Sequence, residues 1–173
     1  MIELRLVLAE DADALFPLIY KTGVSDTLLW DGPASLAEFQ RALTERAGQA
    51  ARGEIHNFTI IETVTGKPIG SASIRPDAAN FRGDIGLWIG KPFQGKGYGT
   101  QTVRWLLVYG FEHLGLEKIE ASVFVGNWAS RRIFEKNGFA LEGIIRKAVR
   151  KYGQAVDEWV FGITREDYRK LPG

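Results

Sequence analysis

Along this chain the spacing of hydrophobic positions switches between a period of two and a period of three to four, and the switches divide it into short strands and helices. Leu4-Arg5-Leu6-Val7-Leu8 reads as a strand, and the run carrying Leu15, Leu18 and Ile19 as a helix that Asp11 or Asp13 can cap. Asp26 to Pro33 breaks the periodicity, with Trp30-Asp31-Gly32-Pro33 as a turn. Ser35-Leu36-Ala37-Glu38 has capping-box spacing and opens a second helix reaching about Arg52. Phe58 to Val64 and Pro68 to Ile74 are β-rich runs joined by Thr65-Gly66-Lys67, an antiparallel hairpin.

The middle of the chain changes character. Asp77 to Gly83 reads as a polar loop, and Asp84 to Ile89 as a mostly buried strand, with Pro92 ending any ladder beyond it. From Gln101 to Leu114 the residues Val103, Leu106, Leu107, Gly110, Phe111 and Leu114 form one helical stripe. Lys118 to Val125 is again a strand, so strand, helix and strand imply a right-handed parallel crossover. A short helix from Trp128 to Asn137 stops at Gly138-Phe139. Gly143 to Arg150 and Val156 to Ile163 flank Tyr152-Gly153 as a closing hairpin, and Arg165 to Leu171 reads as a polar tail.

Length and charge narrow the function. At 173 residues, with no low-complexity linker or repeat, the chain is expected to be one domain over residues 1–173. A formal net charge of +1 offers no extended face for DNA. The opening Met1-Ile2-Glu3-Leu4-Arg5 is unlike a secretory leader and no run is long enough to span a membrane, so a cytoplasmic protein without membrane contact is expected. There is no cysteine, and His56 and His113 lie far apart without metal-ligand spacing, so no metal site is expected. Without a thiol nucleophile, acyl chemistry would run through Ser, Asp or Glu, or more simply by direct transfer.

The candidate chemistry lies in Gln94-Gly95-Lys96-Gly97-Tyr98-Gly99-Thr100, between the Asp84–Ile89 strand and the long helix. A helix start carries unpaired amides and partial positive charge, and glycines let those amides approach an anion closely. A phosphate-containing ligand follows as the first hypothesis. The spacing fits neither Walker A nor the Rossmann fingerprint.

With Asn127, Ser130 and Glu135 to Phe139 added to that motif, the order of elements resembles a GNAT N-acetyltransferase, most of all the RimJ and RimL type that acetylates ribosomal-protein N-termini. The resemblance implies an α+β fold with a central, mixed, mostly antiparallel sheet of about seven strands, a splayed parallel pair and about four helices. It implies acetyl-CoA as donor, its diphosphate on the amides of Gln94 to Thr100 with Lys96 adding charge. The pantetheine arm would lie between the splayed strands against Leu87, Trp88 and Ile89, and Asn127, Ser130 and Phe134 would complete the cofactor side.

For catalysis the resemblance nominates Asp84 as a weak or water-relayed base, against the plainer reading of a solvated strand-end carboxylate. Phe134 stands where many relatives carry a proton-donating tyrosine, and a phenyl ring donates nothing. Ser130, one turn earlier, could relay a proton, or could hold only helix or cofactor. Asn127 reads locally as a helix cap. Trp30, Asp31, Asn80, Phe81 and Arg82 would flank the acceptor channel, although Trp30-Asp31-Gly32-Pro33 is equally a turn whose tryptophan plugs the core. Arg131 and Arg132 read as solvated helix residues, with the CoA 3′-phosphate as the other option. Arg146, Lys147, Arg150 and Lys151 form a basic run, a solvated face unless it meets RNA or acidic peptide. Three functions stay open: an amine acetyltransferase acting on a protein N-terminus, one acting on a polyamine or aminoglycoside, and a silent CoA-binding module. A homodimer is left open too.

Overall fold

The computed structural model describes residues 1–172. Seven strands form one sheet: β1 (Ile2–Leu6), β2 (His56–Glu62), β3 (Lys67–Asp77), β4 (Arg82–Ile89), β5 (Lys118–Phe124), β6 (Ala140–Lys151) and β7 (Gln154–Thr164). Their order across the sheet is β1-β2-β3-β4-β5-β7-β6, antiparallel everywhere except the parallel pair β4–β5. Five helices pack on it: α1 (Asp11–Ile19), α2 (Leu36–Gln49), α3 (Tyr98–Val108), α4 (Trp128–Lys136) and α5 (Arg165–Tyr168). The fold class expected from the sequence is the one observed; the fifth helix is the short turn that read as a polar tail, closed by a Thr164–Asp167 capping box. No helix is long and apolar enough to cross a membrane among the described residues.

Two hydrophobic clusters cover the two faces of the sheet. Val103, Leu106, Leu107 and Phe111 of the α3 stripe and its continuation are buried with Ile85, Ile89, Ile119, Ala121 and Val123, each large side chain contributing on the order of 1.5–3 kcal/mol. On the opposite face α1 and α2 bury Leu15, Ile19, Phe39 and Leu43 against Trp88.

Several boundaries differ from expectation for physical reasons. The stretch that reads as a polar loop, Asp77 to Gly83, is shorter than expected: β3 runs on to Asp77 and β4 starts at Arg82, leaving a four-residue turn, 78–81, whose Phe81 takes a left-handed φ of 51°. Polar side chains there hid the ladder, since Asp77 accepts from Asn80 and Arg82 across the turn. Neither Asp11 nor Asp13 caps α1, whose N-cap is Glu10 without a side-chain bond. Asp11 is instead a buried hub, 3 % exposed, that accepts from Arg5 at 2.8 and 2.5 Å, from the Thr59 hydroxyl at 2.6 Å and from the Leu8 amide at 2.9 Å.

Burial alone would raise the Asp11 carboxyl, but Arg5, Thr59 and the Leu8 amide outweigh it and hold it below the ordinary value. A depressed carboxyl adds stability at pH values above about 3.9, and that contribution is lost as pH falls through its native value. Asp11→Ala is expected to cost about 3 kcal/mol in a urea titration at pH 7, with a smaller penalty in acid. An unchanged midpoint at pH 7 would remove the hub role.

Candidate active site

The site is built where the parallel pair comes apart. β4 and β5 are paired only at Arg82–Asp84 with Lys118–Glu120, and beyond that vertex no pairing joins them. Hydrogen-bond parity decides what faces the gap. Gly90 donates to the Ile69 carbonyl at 2.9 Å, so in the antiparallel β3–β4 ladder the even residues of β4 bond to β3 and the odd ones turn toward β5. Pro76, which has no amide to give, sits opposite Gly83 at a position that needs none. Leu87 and Ile89 therefore present backbone groups to the opening. By the same rule, from Val125 donating to the Asp157 carbonyl, Ser122 and Phe124 present theirs from β5.

Two of these groups are already taken. The Gln94 side chain donates to the Ile89 carbonyl at 2.8 Å, and the Asn127 amide to the Phe124 carbonyl at 3.0 Å. The Leu87 amide and carbonyl, the Ile89 amide, both backbone groups of Ser122 and the Phe124 amide are left for a ligand. Trp88, expected beside Leu87 and Ile89, turns away: its backbone bonds to β3 and its indole is buried in the cluster formed with α1 and α2 on the opposite face.

The loop from Gln94 to α3 adds a run of donors. Gln94 donates to Lys91 and Gln101 to Gly97, while the amides of Gly95, Lys96, Gly97, Tyr98, Gly99 and Thr100 have no partner among the described residues. Gly95 and Gly97 hold this loop in shape with left-handed φ values of 74° and 80°. Gly99 serves packing, because a Cβ there would lie 2.6 Å from Ile133 Cδ1 on α4. The first turn of α3 is tied to α4 by Asn137, buried, whose side chain donates to the carbonyls of Thr100 and Ile133. Tyr98 donates its hydroxyl to Glu62 at 2.6 Å. Six free amides at the start of an eleven-residue helix suit a diphosphate, and the gap beside Leu87 suits an extended arm with amide groups.

On α4, Asn127 caps the helix as its sequence suggested, its Oδ1 accepting from the Ser130 amide at 3.2 Å. Ser130 lies on the same face as Phe134, which is 2 % exposed and packed between Phe139 and Phe161. Arg131 is not simply solvated: it pairs with Glu135 and stacks over Trp128 and Trp159.

The opposite face of the sheet carries the titratable groups. Residues paired across strands share a face, so Asp84, Glu120, Ser122, Phe124 and Glu158 lie together, away from α3 and α4. Glu120 is neutralised by Lys118 at 3.0 Å and Arg82 at 3.5 Å. Asp84 and Glu158 have no ion pair or side-chain hydrogen bond among the described residues. Desolvation raises the Asp84 carboxyl; Arg75 opposes this, and the charges of Glu120 and Glu158 push it further up. Desolvation raises Glu158 as well. Asp84 lines a cleft of about 210 Å³ with Arg75, Asp77, Arg82 and Glu120 at the vertex.

Nothing local in the sequence marks Glu158, because only its register opposite Phe124 reveals where it stands. The expected acceptor wall divides. Trp30 and Asp31 lie toward the open end of the splay, whereas Asn80, Phe81 and Arg82 form the β3–β4 turn at its closed end, their polar atoms engaged by Asp77 and Glu120. Lys151 leaves the basic surface run altogether, its side chain 5 % exposed and paired with Asp31.

Known proteins resemble this chain in sequence and in fold. The profile of the acetyltransferase (GNAT) domain matches residues 2–140. The uncharacterized N-acetyltransferase p20 of Bacillus licheniformis is 32% identical over 117 residues, 67% of this chain and 66% of that protein, so the match spans just under two thirds of its length. A Bacillus subtilis protein provisionally named ribosomal N-acetyltransferase YdaF is 35% identical over 92 residues, 53% of this chain and 50% of that one. Among solved structures, Mycobacterium smegmatis RimJ in complex with CoA-disulfide superposes with a TM-score of 0.89 at 23% identity, covering 99% of this chain and 84% of that one. Spermidine N-acetyltransferase from Vibrio cholerae, in complex with CoA and spermine, does so with a TM-score of 0.85 at 19% identity, covering 98% of each. At those identities the two structures speak for the fold.

Proposed function

The chain belongs to the GNAT acetyltransferase family, N-acetyltransferases that use acetyl-CoA, and from that premise we propose that its acceptor is the α-amine of a protein N-terminus. The observation that carries this is the pair of unpartnered carboxyls, Asp84 and Glu158, on the face of the splay away from α3. An α-amine has a pKa of about 7.7–8.0 against about 10.4 for a lysine side chain, so a carboxylate acting directly or through water is a sufficient base for it. The name of the YdaF relative points the same way.

Bound acetyl-CoA supplies a thioester whose acetyl carbon accepts the amine nitrogen, the C–S bond breaking as the C–N bond forms and CoA leaving as a thiol. The chain's residues set up that exchange. Amides of Gly95 to Thr100, with Lys96 beside them, would hold the diphosphate. The Leu87 and Ile89 amides would hold the arm, and a donor at Leu87 would stabilise negative charge on the acetyl oxygen. Asn127 and Ser130 would fix the arm from α4. Asp84 takes the proton that the amine loses, and Glu158 makes the entry face attractive to a cation. The proton reaching the thiolate comes from Ser130 or its water, since Phe134 has none to give.

Phe134→Tyr is expected to leave kcat within about tenfold of the parent or to raise it, because the ring contributes packing. A loss beyond about a hundredfold in a folded variant would contradict that. The acceptor is tested by following free thiol from acetyl-CoA across N-terminal peptides, spermidine and an aminoglycoside, with mass spectrometry locating the acetyl group. Peptides should lead in kcat/KM with acetyl on the α-amine. A lead for spermidine or the aminoglycoside would move the acceptor to small amines, and silence with every amine alongside tight CoA binding would make the protein a non-catalytic module.

A further inference from the structure

At the open end of the splay one lysine of the chain occupies a cation site. β7 runs antiparallel to β5 and begins four residues beyond the Phe124–Glu158 pair, so the β6–β7 turn projects past the mouth of the gap. There it meets the α1–α2 connection, whose Leu28 and Trp30 pack against the same hydrophobic cluster that holds Trp88 of β4. The two halves of the sheet are thus bridged over the mouth. Lys151 makes the bridge: its ammonium donates to the Trp30 carbonyl at 3.1 Å and to Asp31 Oδ1 at 2.6 Å, and lies 4.6 Å from the Tyr152 ring centroid. Tyr152, held at a left-handed φ of 49°, donates its hydroxyl to Asp26 at 3.0 Å.

A carboxylate, a carbonyl and an aromatic face are the three kinds of group that desolvate an ammonium ion at low cost. The side chain that uses them is almost wholly buried, while the Asp31 side chain is 70 % exposed and borders an open trough of about 710 Å³ with Tyr20, Ser25, Asp26 and Tyr152. The carboxylate is reachable from solvent, but its ammonium partner is already in place.

We propose that Lys151 fills with its own ammonium the subsite that a second amino group of an oligoamine would need, and so restricts the acceptor to one presenting a single cationic amine at the reacting end. This rests on the reading that acceptors enter on the Asp84–Glu158 face. Occupation by an internal cation rejects a dication twice, by filling the carboxylate and by repelling the incoming charge. A peptide N-terminus that follows its α-amine with neutral residues meets neither penalty.

The test is Lys151→Met, which keeps the length of the chain and removes the charge. The ratio of kcat/KM for spermidine to that for an N-terminal peptide is expected to rise by about tenfold or more. Calorimetry on the CoA-loaded protein should show spermidine binding tightened by about the same factor, and adding Asp31→Asn should reverse both gains. Lys151→Arg, which retains the cation, should show neither. A ratio and an affinity within about threefold of the parent in folded Lys151→Met would overturn the proposal. So would spermidine binding to the unmodified, CoA-loaded protein tighter than about 100 μM, a reading that needs no variant to fold. Absence of transfer to every amine would sink the acceptor assignment, and the calorimetric comparison would still decide the role of Lys151.

Discussion

Gly97→Val is expected to weaken CoA binding by about a hundredfold while leaving the melting temperature close to that of the parent. Gly97 is the N-cap of α3 at φ 80°, and a Cβ there meets nothing nearer than the Gln101 side chain at 4.0 Å. The penalty is conformational and not steric. A β-branched residue pays about 2–3 kcal/mol to stay left-handed, and each 1.4 kcal/mol is tenfold in affinity. If the residue relaxes instead, the amides of Gly97 and Tyr98 swing out of the row that includes Gly95 and Lys96. Either route weakens the grip on a diphosphate, and the loop is too exposed for the change to reach the core. Gly97→Ala should lose less, about tenfold, since it lacks the β-branch. A dissociation constant within about threefold of the parent for Gly97→Val would show that the loop does not hold the cofactor.

Asp84→Asn is expected to lower kcat for peptide acetylation by about a hundredfold with little change in KM. The carboxyl lies at the last paired position of the splay, unpartnered on a residue still open to solvent, and desolvation raises it with Arg75 opposing and Glu120 and Glu158 adding to the rise. A base must be ionised to accept a proton, so activity should fall as pH drops through the Asp84 value. Because that value is raised, the fall should begin at a higher pH than a free aspartate would give. In Asp84→Asn this acid limb should vanish, leaving only the titration of the amine. Glu158→Gln should act differently, raising KM for a cationic acceptor and lowering the midpoint of the limb, because a charge that pushes Asp84 up is gone. A kcat within about threefold of the parent in folded Asp84→Asn would return that residue to a solvated strand end.

What the sequence disclosed and withheld follows from the range of the interactions involved. The glycine-rich loop was legible because its parts are local: positive φ at Gly95 and Gly97, a helix stripe beginning just after, a strand just before. Asn127 as a cap was legible for the same reason. The splay was known only through family resemblance, since the parting of β4 from β5 is a property of register and not of either strand's composition. Register also separates Leu87 and Ile89, which face the gap, from Trp88, which does not, and no local feature of the sequence distinguishes the three. Glu158 was missed because its neighbours on the site, Asp84 and Phe124, come from distant parts of the chain.

In sequence, Arg146, Lys147, Arg150 and Lys151 look alike, and a solvated basic face is the ordinary outcome. Three of them remain on the surface of the hairpin. Lys151 differs because a carbonyl and a carboxylate from the α1–α2 connection, well over a hundred residues earlier, arrive at its ammonium. Asp11 was misread in the same way, as a local helix cap where Thr59 from β2 completes a buried hub.

The most direct test of the account is an amide NMR titration of the protein with CoA. The account predicts that the largest shift changes fall on the amides of Gly95 to Thr100, with Leu87 and Ile89 following, and that desphospho-pantetheine moves the second group without the first. Tight CoA binding that leaves the Gly95–Thr100 amides unmoved would contradict it.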